Sequence, residues 1–160
     1  MTQSSSDEAG AQVRFPPPLI FLICILSGMV FRYAVTPAPV PLDSTIGAVA
    51  GVLVLAIGIG FIATARTHFV RTGQNPIPWK PTPELIVNGP YRYTRNPMYL
   101  GATLFEVGLG VALNNLWISL FAALALAAVH VVAVLPEERY LSSKFGESYT
   151  RYLAQVRRYL

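Results

Sequence analysis

The sequence predicts an all-α integral membrane protein with four transmembrane helices and a C-terminal amphipathic interfacial helix. Hydrophobic residues make up 53% of the chain and charged residues only 12%. The charged residues are also absent from several long apolar stretches. Both observations are typical of membrane proteins rather than of soluble globular proteins.

The N-terminus predicts a disordered tail over residues 1–15, because it is polar and rich in serine. It lacks the basic start of a signal peptide, so we expect the first apolar segment to be retained. The remaining residues, 16–160, predict a single domain because the chain is short.

Four apolar segments predict the four spans: 18–35, 46–65, 98–113 and 116–135. The third is shorter than the roughly 20 residues that a spanning helix needs. Prolines in residues 36–44 separate the first two segments, because proline cannot continue a helix. Asn114 and Asn115 predict a tight helical hairpin between the last two.

The C-terminal segment predicts one more helix, with Pro136 in its first turn. Aromatic and apolar residues recur there at steps of three and four: Tyr140, Leu141, Phe145, Tyr149, Tyr152, Leu153 and Val156. Lysines and arginines lie between them. This pattern indicates a helix that lies on a membrane or packs on a neighbour.

Basic residues predict the orientation, because Lys and Arg concentrate on the cytoplasmic side of membrane proteins. They lie between the second and third spans and after the fourth, whereas Arg32 alone lies near the other side, where it can snorkel. We therefore expect both termini in the cytoplasm, in the inner or plasma membrane of a prokaryote. The net charge of +4 then indicates membrane lipids rather than nucleic acid as the partner.

The small residues do not decide the oligomeric state. Gly47 and Gly51 form a GxxxG motif, which is compatible with either a compact bundle or a homodimer. Cys24 is the only cysteine, and no Cys/His cluster predicts a metal site.

Residues 85–101, LIVNGPYRYTRNPMYLG, are the most informative segment. They are rich in tyrosine, arginine and proline and lead into the third span. If the last two spans form a hairpin, Tyr99 lies level with about His130, and Glu137 and Glu138 lie just beyond. The hairpin therefore predicts that this segment and the sequence PEER form the two walls of one site at the cytoplasmic interface.

Together these two motifs resemble the isoprenylcysteine carboxyl methyltransferase family and the related phospholipid methyltransferases. The resemblance covers roughly residues 75–160. It implies an integral membrane enzyme that uses S-adenosylmethionine to methylate a lipophilic acceptor such as an isoprenylcysteine carboxylate, a phospholipid amine or a small hydrophobic molecule.

The resemblance also implies site residues. Its RHPxYxG motif corresponds to residues 95–101, so it implies cofactor binding by Arg95, Asn96, Pro97, Met98 and Tyr99. It further implies cofactor contacts from Leu85, Ile86, Tyr91 and Glu137. Glu137, with Glu138 beside it, matches an acidic residue at the reacting end, and these two are the candidate catalytic residues.

Two residues depart from the family pattern. Asn96 replaces the usual His, which removes a protonatable group but keeps hydrogen-bonding capacity. Ala133 stands where the eukaryotic enzymes have an Arg tied to the substrate carboxylate. The residue types still suit methyl transfer, since Glu137 or Glu138 can serve as a base for an amine acceptor, and tyrosine faces suit adenine or a cation.

Some alternatives stay open. Glu106 lies within the third span, where a carboxylate is a functional candidate, but we expect a structural hydrogen bond, for instance to Asn114 or Ser119. His130 is equally compatible with packing or function. The alternative to an enzyme is a non-enzymatic membrane scaffold or a transporter subunit.

Overall fold

The computed structural model describes residues 10–159, and within that range it contains six α-helices and no β-strand. The helices are α1 (Pro17–Ala34), α2 (Ser44–Arg71), α3 (Pro97–Ala112), α4 (Leu116–Val129), α5 (Leu135–Phe145) and α6 (Glu147–Gln155). The predicted all-α class is confirmed.

Three helical stretches are long and apolar enough to cross a membrane: Pro17–Ala34, Ser44–Arg71 and Leu116–Phe145. The third predicted span corresponds to α3, which is apolar but has only 16 residues. Many large apolar side chains on the outer faces of α1, α2 and α4 are exposed, as expected where the surroundings are hydrocarbon.

Helix α2 extends well past the predicted limit at residue 65, because neither Gly nor Pro interrupts residues 61–71. It ends at Arg71, two residues before Gly73, whose φ is +68°. The Gln74 amide donates to the Phe69 carbonyl at 2.8 Å and the Gly73 amide donates to that of Val70 at 3.0 Å. These two bonds form a Schellman motif, which satisfies carbonyls at the helix end.

The prediction that Pro136 opens a separate helix is wrong. Helix α4 continues into α5 through a π turn over His130–Val134, in which the Leu135 amide donates to the His130 carbonyl. A regular α-helix would drive the Pro136 ring against the carbonyl four residues earlier, and the wider turn relieves that clash.

The predicted single C-terminal helix is also wrong, because Gly146 divides it. Gly146 has a φ of +50°, a conformation that disfavours side chains with a Cβ. Helix α6 follows at once, and beyond it the chain becomes extended at Val156. Tyr149 and Tyr152 of α6 are buried in the protein, so at least this face packs on a neighbour.

Helices α3 and α4 form an antiparallel hairpin, with α2 packed on α3 and α1 packed on α4. Glycines allow the α2–α3 contact: a Cβ on Gly51 would come within 2.7 Å of the Gly108 oxygen, and one on Gly58 within 2.6 Å of the Gly101 oxygen. Gly51 of the GxxxG motif therefore packs inside the chain, as the bundle interpretation expects, and the homodimer stays a prediction.

The turn of the hairpin is held by polar contacts. Asn114 has a φ of +50°, and its side chain accepts a hydrogen bond from the Val40 amide at 2.7 Å. Arg32 donates to the carbonyls of Leu113 at 3.0 Å and Asn114 at 2.8 Å. Arg32 thus binds the C-terminal end of α3, a favourable place for a cation, instead of only snorkelling.

Residues 1–9 of the predicted disordered tail lie outside the described residues. Residues 10–13 belong to the same predicted tail, yet they contact the loop that follows α2. The Ala11 amide donates to the Pro78 carbonyl at 2.9 Å, and Ala11 is buried.

Glu106 lies fully buried in α3, and neither carboxyl oxygen has a hydrogen-bond partner among the described residues. The expected partners are engaged elsewhere, since Ser119 donates to the Val107 carbonyl and Asn114 binds Val40. The predicted structural hydrogen bond of Glu106 is therefore wrong, and its carboxyl group carries an uncompensated desolvation cost.

Glycine packing between α2 and α3 predicts different effects for two neighbouring substitutions. Gly58→Ala should lower the melting temperature in detergent, because the added methyl group forces the two backbones apart. Gly60→Ala is the matched control: no described atom lies within 4 Å of the position that its Cβ would take, and alanine favours the helix by about 1 kcal/mol. A loss of stability at Gly60 equal to that at Gly58 would contradict the packing argument.

Glu106→Met should raise the melting temperature of the purified protein, because it removes an unsatisfied buried group that costs about 1–3 kcal/mol. The exposed Glu84→Met provides the control and should change little. A lower melting temperature for Glu106→Met would mean that the carboxyl group is bonded in the folded protein.

Candidate active site

A cleft lies at the end of the α3–α4 hairpin that is opposite the Asn114 turn. Its walls come from residues 75–86 of the loop after α2, from the start of α3, from α5 and from α6. Residue Ala11 of the N-terminal segment also lines it. The cleft is therefore built from segments far apart in sequence and lies where the apolar helices end.

All nine residues predicted to bind a cofactor line this cleft: Leu85, Ile86, Tyr91, Arg95, Asn96, Pro97, Met98, Tyr99 and Glu137. The prediction that residues 85–101 and the PEER sequence meet at one end of the hairpin is thus confirmed. Cofactor binding by these residues stays a prediction.

Tyr99 and Glu137 are joined directly across the cleft. The Tyr99 hydroxyl donates to Oε1 of Glu137 at 2.5 Å. Tyr99 lies in the first turn of α3 and Glu137 in the first turn of α5, so the antiparallel hairpin brings them to the same end of the bundle. The hydrogen bond fixes the direction in which this carboxylate faces.

Glu138 points elsewhere and does not line the cleft. Its Oε1 lies 3.0 Å from Nη1 of Arg95. Arg158 binds both oxygens, with Nε 3.0 Å from Oε1 and Nη2 2.8 Å from Oε2. Two guanidinium groups therefore bind the carboxylate of Glu138. The adjacent residues Glu137 and Glu138 thus have different environments.

Arg95 connects this ion network to the cleft. Only 12% of its side chain is exposed, and its Nε is buried without a hydrogen-bond partner in the described part of the chain. Because Arg95 lines the cleft, its guanidinium group can bind an anionic acceptor placed there. Arg92, the other arginine considered for that role, is exposed and does not line the cleft.

The extended C-terminal segment, residues 156–159, packs along residues 94–96. The Arg95 amide donates to the Arg157 carbonyl at 3.0 Å. The Arg158 carbonyl accepts from Thr94 Oγ1 at 3.1 Å and from Asn96 Nδ2 at 3.0 Å. Asn96 therefore uses one amide donor to hold this segment.

The tyrosines of the cleft are packed and neutral. The Tyr152 hydroxyl donates to the Tyr91 carbonyl at 2.7 Å, and the Tyr91 ring stands edge-on to Phe69. Burial raises the pKa of Tyr91 and Tyr152 above the ordinary value and that of Tyr149 to about 12. These hydroxyls therefore stay protonated at neutral pH and remain donors.

Several lining residues are absent from the predicted site. Tyr140, Leu141, Tyr149 and Tyr152 belong to the aromatic pattern that by itself indicates only a helix face. Phe69 lies in the part of α2 beyond the predicted span, and Ala11 lies in the predicted tail. The aromatic spacing is a usable signal, whereas nothing in the local sequence marks Ala11.

The two histidines lie near the cleft but do not line it. His130 Nδ1 lies 2.9 Å from the Tyr159 hydroxyl, so its ring joins the π turn to the C-terminal segment. His68 Nδ1 lies 2.8 Å from the Thr64 carbonyl, and its ring packs against Gly89, whose φ is +61°. Both contacts fit structural roles.

Two curated proteins are similar to parts of this chain. One is the protein-S-isoprenylcysteine O-methyltransferase of Schizosaccharomyces pombe, which is 35% identical over 72 residues, or 45% of this chain and 30% of that protein. The other is the cobalt-zinc-cadmium resistance protein CzcN of Cupriavidus metallidurans, which is 35% identical over 63 residues, or 39% of this chain and 29% of that protein. The matched regions thus span less than a third of each relative.

The family comparison covers more of the chain. The model of the phospholipid methyltransferase family matches residues 46–148. This range includes α2 except for its first two residues, all of α3, α4 and α5, and every residue predicted to bind a cofactor. The chain therefore belongs to the phospholipid methyltransferase family.

Proposed function

We propose that this protein is an S-adenosylmethionine-dependent membrane methyltransferase that transfers a methyl group to a lipophilic acceptor. The observation that carries the proposal is the Tyr99–Glu137 pair, which lies in the cleft at the end of the α3–α4 hairpin opposite the Asn114 turn. Family membership supports the same reaction class. A cleft at this level is accessible both to a water-soluble donor and to a lipid-soluble acceptor.

The donor set of the cleft fits the cofactor. S-adenosylmethionine carries an adenine, a methionine carboxylate and ammonium, and a sulfonium whose methyl group is electrophilic. Tyr91 and Tyr99 offer aromatic faces for adenine or for the positive charge. Arg95, which lines the cleft, suits the carboxylate, and the Glu137 carboxylate suits a cationic group.

The chain's own residues would then act mainly by positioning. Methyl transfer is an in-line displacement, so alignment and exclusion of water provide much of the acceleration. For an amine acceptor, Glu137 would take the ammonium proton and so free the nitrogen lone pair for attack. Tyr99 would hold the carboxylate in the direction needed for that transfer.

The charge of the cleft favours an amine or a neutral acceptor over a carboxylate. Among the described residues, Arg95 is the only cationic side chain that lines it, and in this proposal that group binds the carboxylate of the methyl donor. The place where the resemblance expects an arginine holds Ala133, which is fully buried in the core. A carboxylate acceptor would therefore face Glu137 with little compensation.

The proposed topology has four spans, with α3 as the short third span and the cleft in the cytoplasm. Of the 12 Lys and Arg residues, all except Arg32 lie at the cleft end of the bundle, which supports a cytoplasmic location for this end and for both termini. Helix α6 and its neighbours would lie at the membrane interface.

A non-enzymatic scaffold or transporter subunit is the competing hypothesis. It predicts no cofactor binding and tolerance of changes at Tyr99 and Glu137. Isothermal titration of the detergent-purified protein with S-adenosylhomocysteine separates the two. We expect saturable binding at one site per chain, and no binding by protein shown to be folded would contradict the proposed function.

Substitutions in the cleft test the assigned roles. With radiolabelled S-adenosylmethionine and total membrane extract, Glu137→Gln should reduce methyl transfer by about 100-fold or more, because general base catalysis commonly contributes that much. Tyr99→Phe should reduce it less, since the carboxylate remains but loses its fixed direction. The extract also reveals which lipid or small molecule carries the label.

The chain offers matched controls for both changes. Glu147→Gln alters an exposed glutamate in α6, and Tyr93→Phe alters an exposed tyrosine of the same motif. Both should retain activity. Equal losses in the controls and the cleft variants would argue against a catalytic role for the Tyr99–Glu137 pair.

A further inference from the structure

The C-terminal segment reaches the candidate cofactor site twice, once through its backbone and once through a side chain. Its backbone holds residues 94–96 through the carbonyls of Arg157 and Arg158. Its side-chain contact runs from Arg158 to Glu138 and from there to Arg95. Neither route is apparent from the motifs alone.

The Arg158–Glu138 contact has the geometry of specific recognition. Nε and Nη2 of Arg158 face the two carboxylate oxygens at 3.0 and 2.8 Å, which is the parallel, two-bond arrangement that only arginine provides. A carboxylate held in this way cannot rotate freely. Its Oε1 therefore presents a fixed acceptor to Arg95.

Arg95 is oriented by that acceptor. Its Nη1 binds Glu138 Oε1 at 3.0 Å, while its buried Nε has no partner among residues 10–159 and its side chain lines the cleft. Glu138 thus holds Nη1 in place at a residue that lines the cleft. A planar group held in this way is preorganised for a carboxylate ligand.

We propose that Arg158 is a positioning residue that acts through Glu138 to hold the Arg95 guanidinium group for the carboxylate of the methyl donor. This inference rests on the proposed function. Arg158 itself does not line the cleft. The Arg158 side chain is 38% exposed, and a partly exposed ion pair adds little to stability, so its main effect is on the geometry of Arg95.

The affinities of two ligands, measured in the wild type and in the variants, test this role. The probes are S-adenosylhomocysteine and its decarboxylated analogue, each titrated calorimetrically into the full-length protein. In the wild type, loss of the carboxylate should weaken binding about tenfold or more, because hydrogen bonds between charged groups contribute about that factor. In Arg158→Gln, only the affinity for S-adenosylhomocysteine should fall, so the ratio of the affinities for the two ligands should approach one.

Arg157→Gln is the matched control, because that neighbouring side chain is exposed and only its backbone carbonyl contacts Arg95. It should preserve both affinities and their ratio. Arg158→Lys keeps the charge but not the two-bond geometry, and its ratio should be intermediate. If Arg158→Gln does not fold, the affinity ratio measured for Arg158→Lys tests the proposal instead.

The outcomes are distinct. An Arg158 variant that weakens both ligands equally, or neither, would overturn the positioning role while the proposed function stands. A folded wild type that binds neither ligand would overturn the proposed function and this inference with it. A ratio that falls only in the Arg158 variants supports both.

Discussion

The antiparallel pairing of α3 and α4 is the constraint on which the site depends. Backbone groups in hydrocarbon must satisfy one another, so the apolar part of this chain is confined to helices, and polar chemistry gathers at their ends. The pairing brings the start of α3 and the start of α5 to the same end. The contacts of Asn114 and Arg32 at the opposite turn hold the two helices in this relation.

The adjacent carboxylates of Glu137 and Glu138 have different hydrogen-bond and ion-pair partners, and this difference separates their roles. Glu138 is neutralised by Arg95 and Arg158, whereas Glu137 has a tyrosine hydroxyl as its partner. Glu138 does not line the cleft and both of its oxygens are bound by guanidinium groups, whereas Glu137 lines the cleft and only its Oε1 has a hydrogen-bond partner among the described residues. This difference is why the proposed chemistry is assigned to Glu137, although both glutamates are candidates by sequence.

Local patterns predict the apolar helices and the hairpin turn, because each depends on composition or on turn residues, and the family resemblance of two short motifs predicts nine of the residues that line the cleft. The failures have a common cause in long-range contacts. The π turn accommodates the ring of Pro136 within a continuous helix. The partners of Arg32 and Glu138 come from elsewhere in the chain. The part played by residues 156–159 depends on carbonyl groups, which every residue type has, so no side-chain pattern could indicate it. Glu106 has no partner in the described structure, which no rule based on satisfied hydrogen bonds predicts.

The π turn has a further consequence for the two glutamates. It adds one residue to a single turn of the helix, and one residue of an α-helix corresponds to a rotation of about 100°. Without it, everything after Val134 would be turned by roughly that angle, and neither glutamate would keep its present neighbours. The identity of the carboxylate that faces the cleft is therefore set by a local irregularity of the backbone, in a pair of residues that are chemically identical.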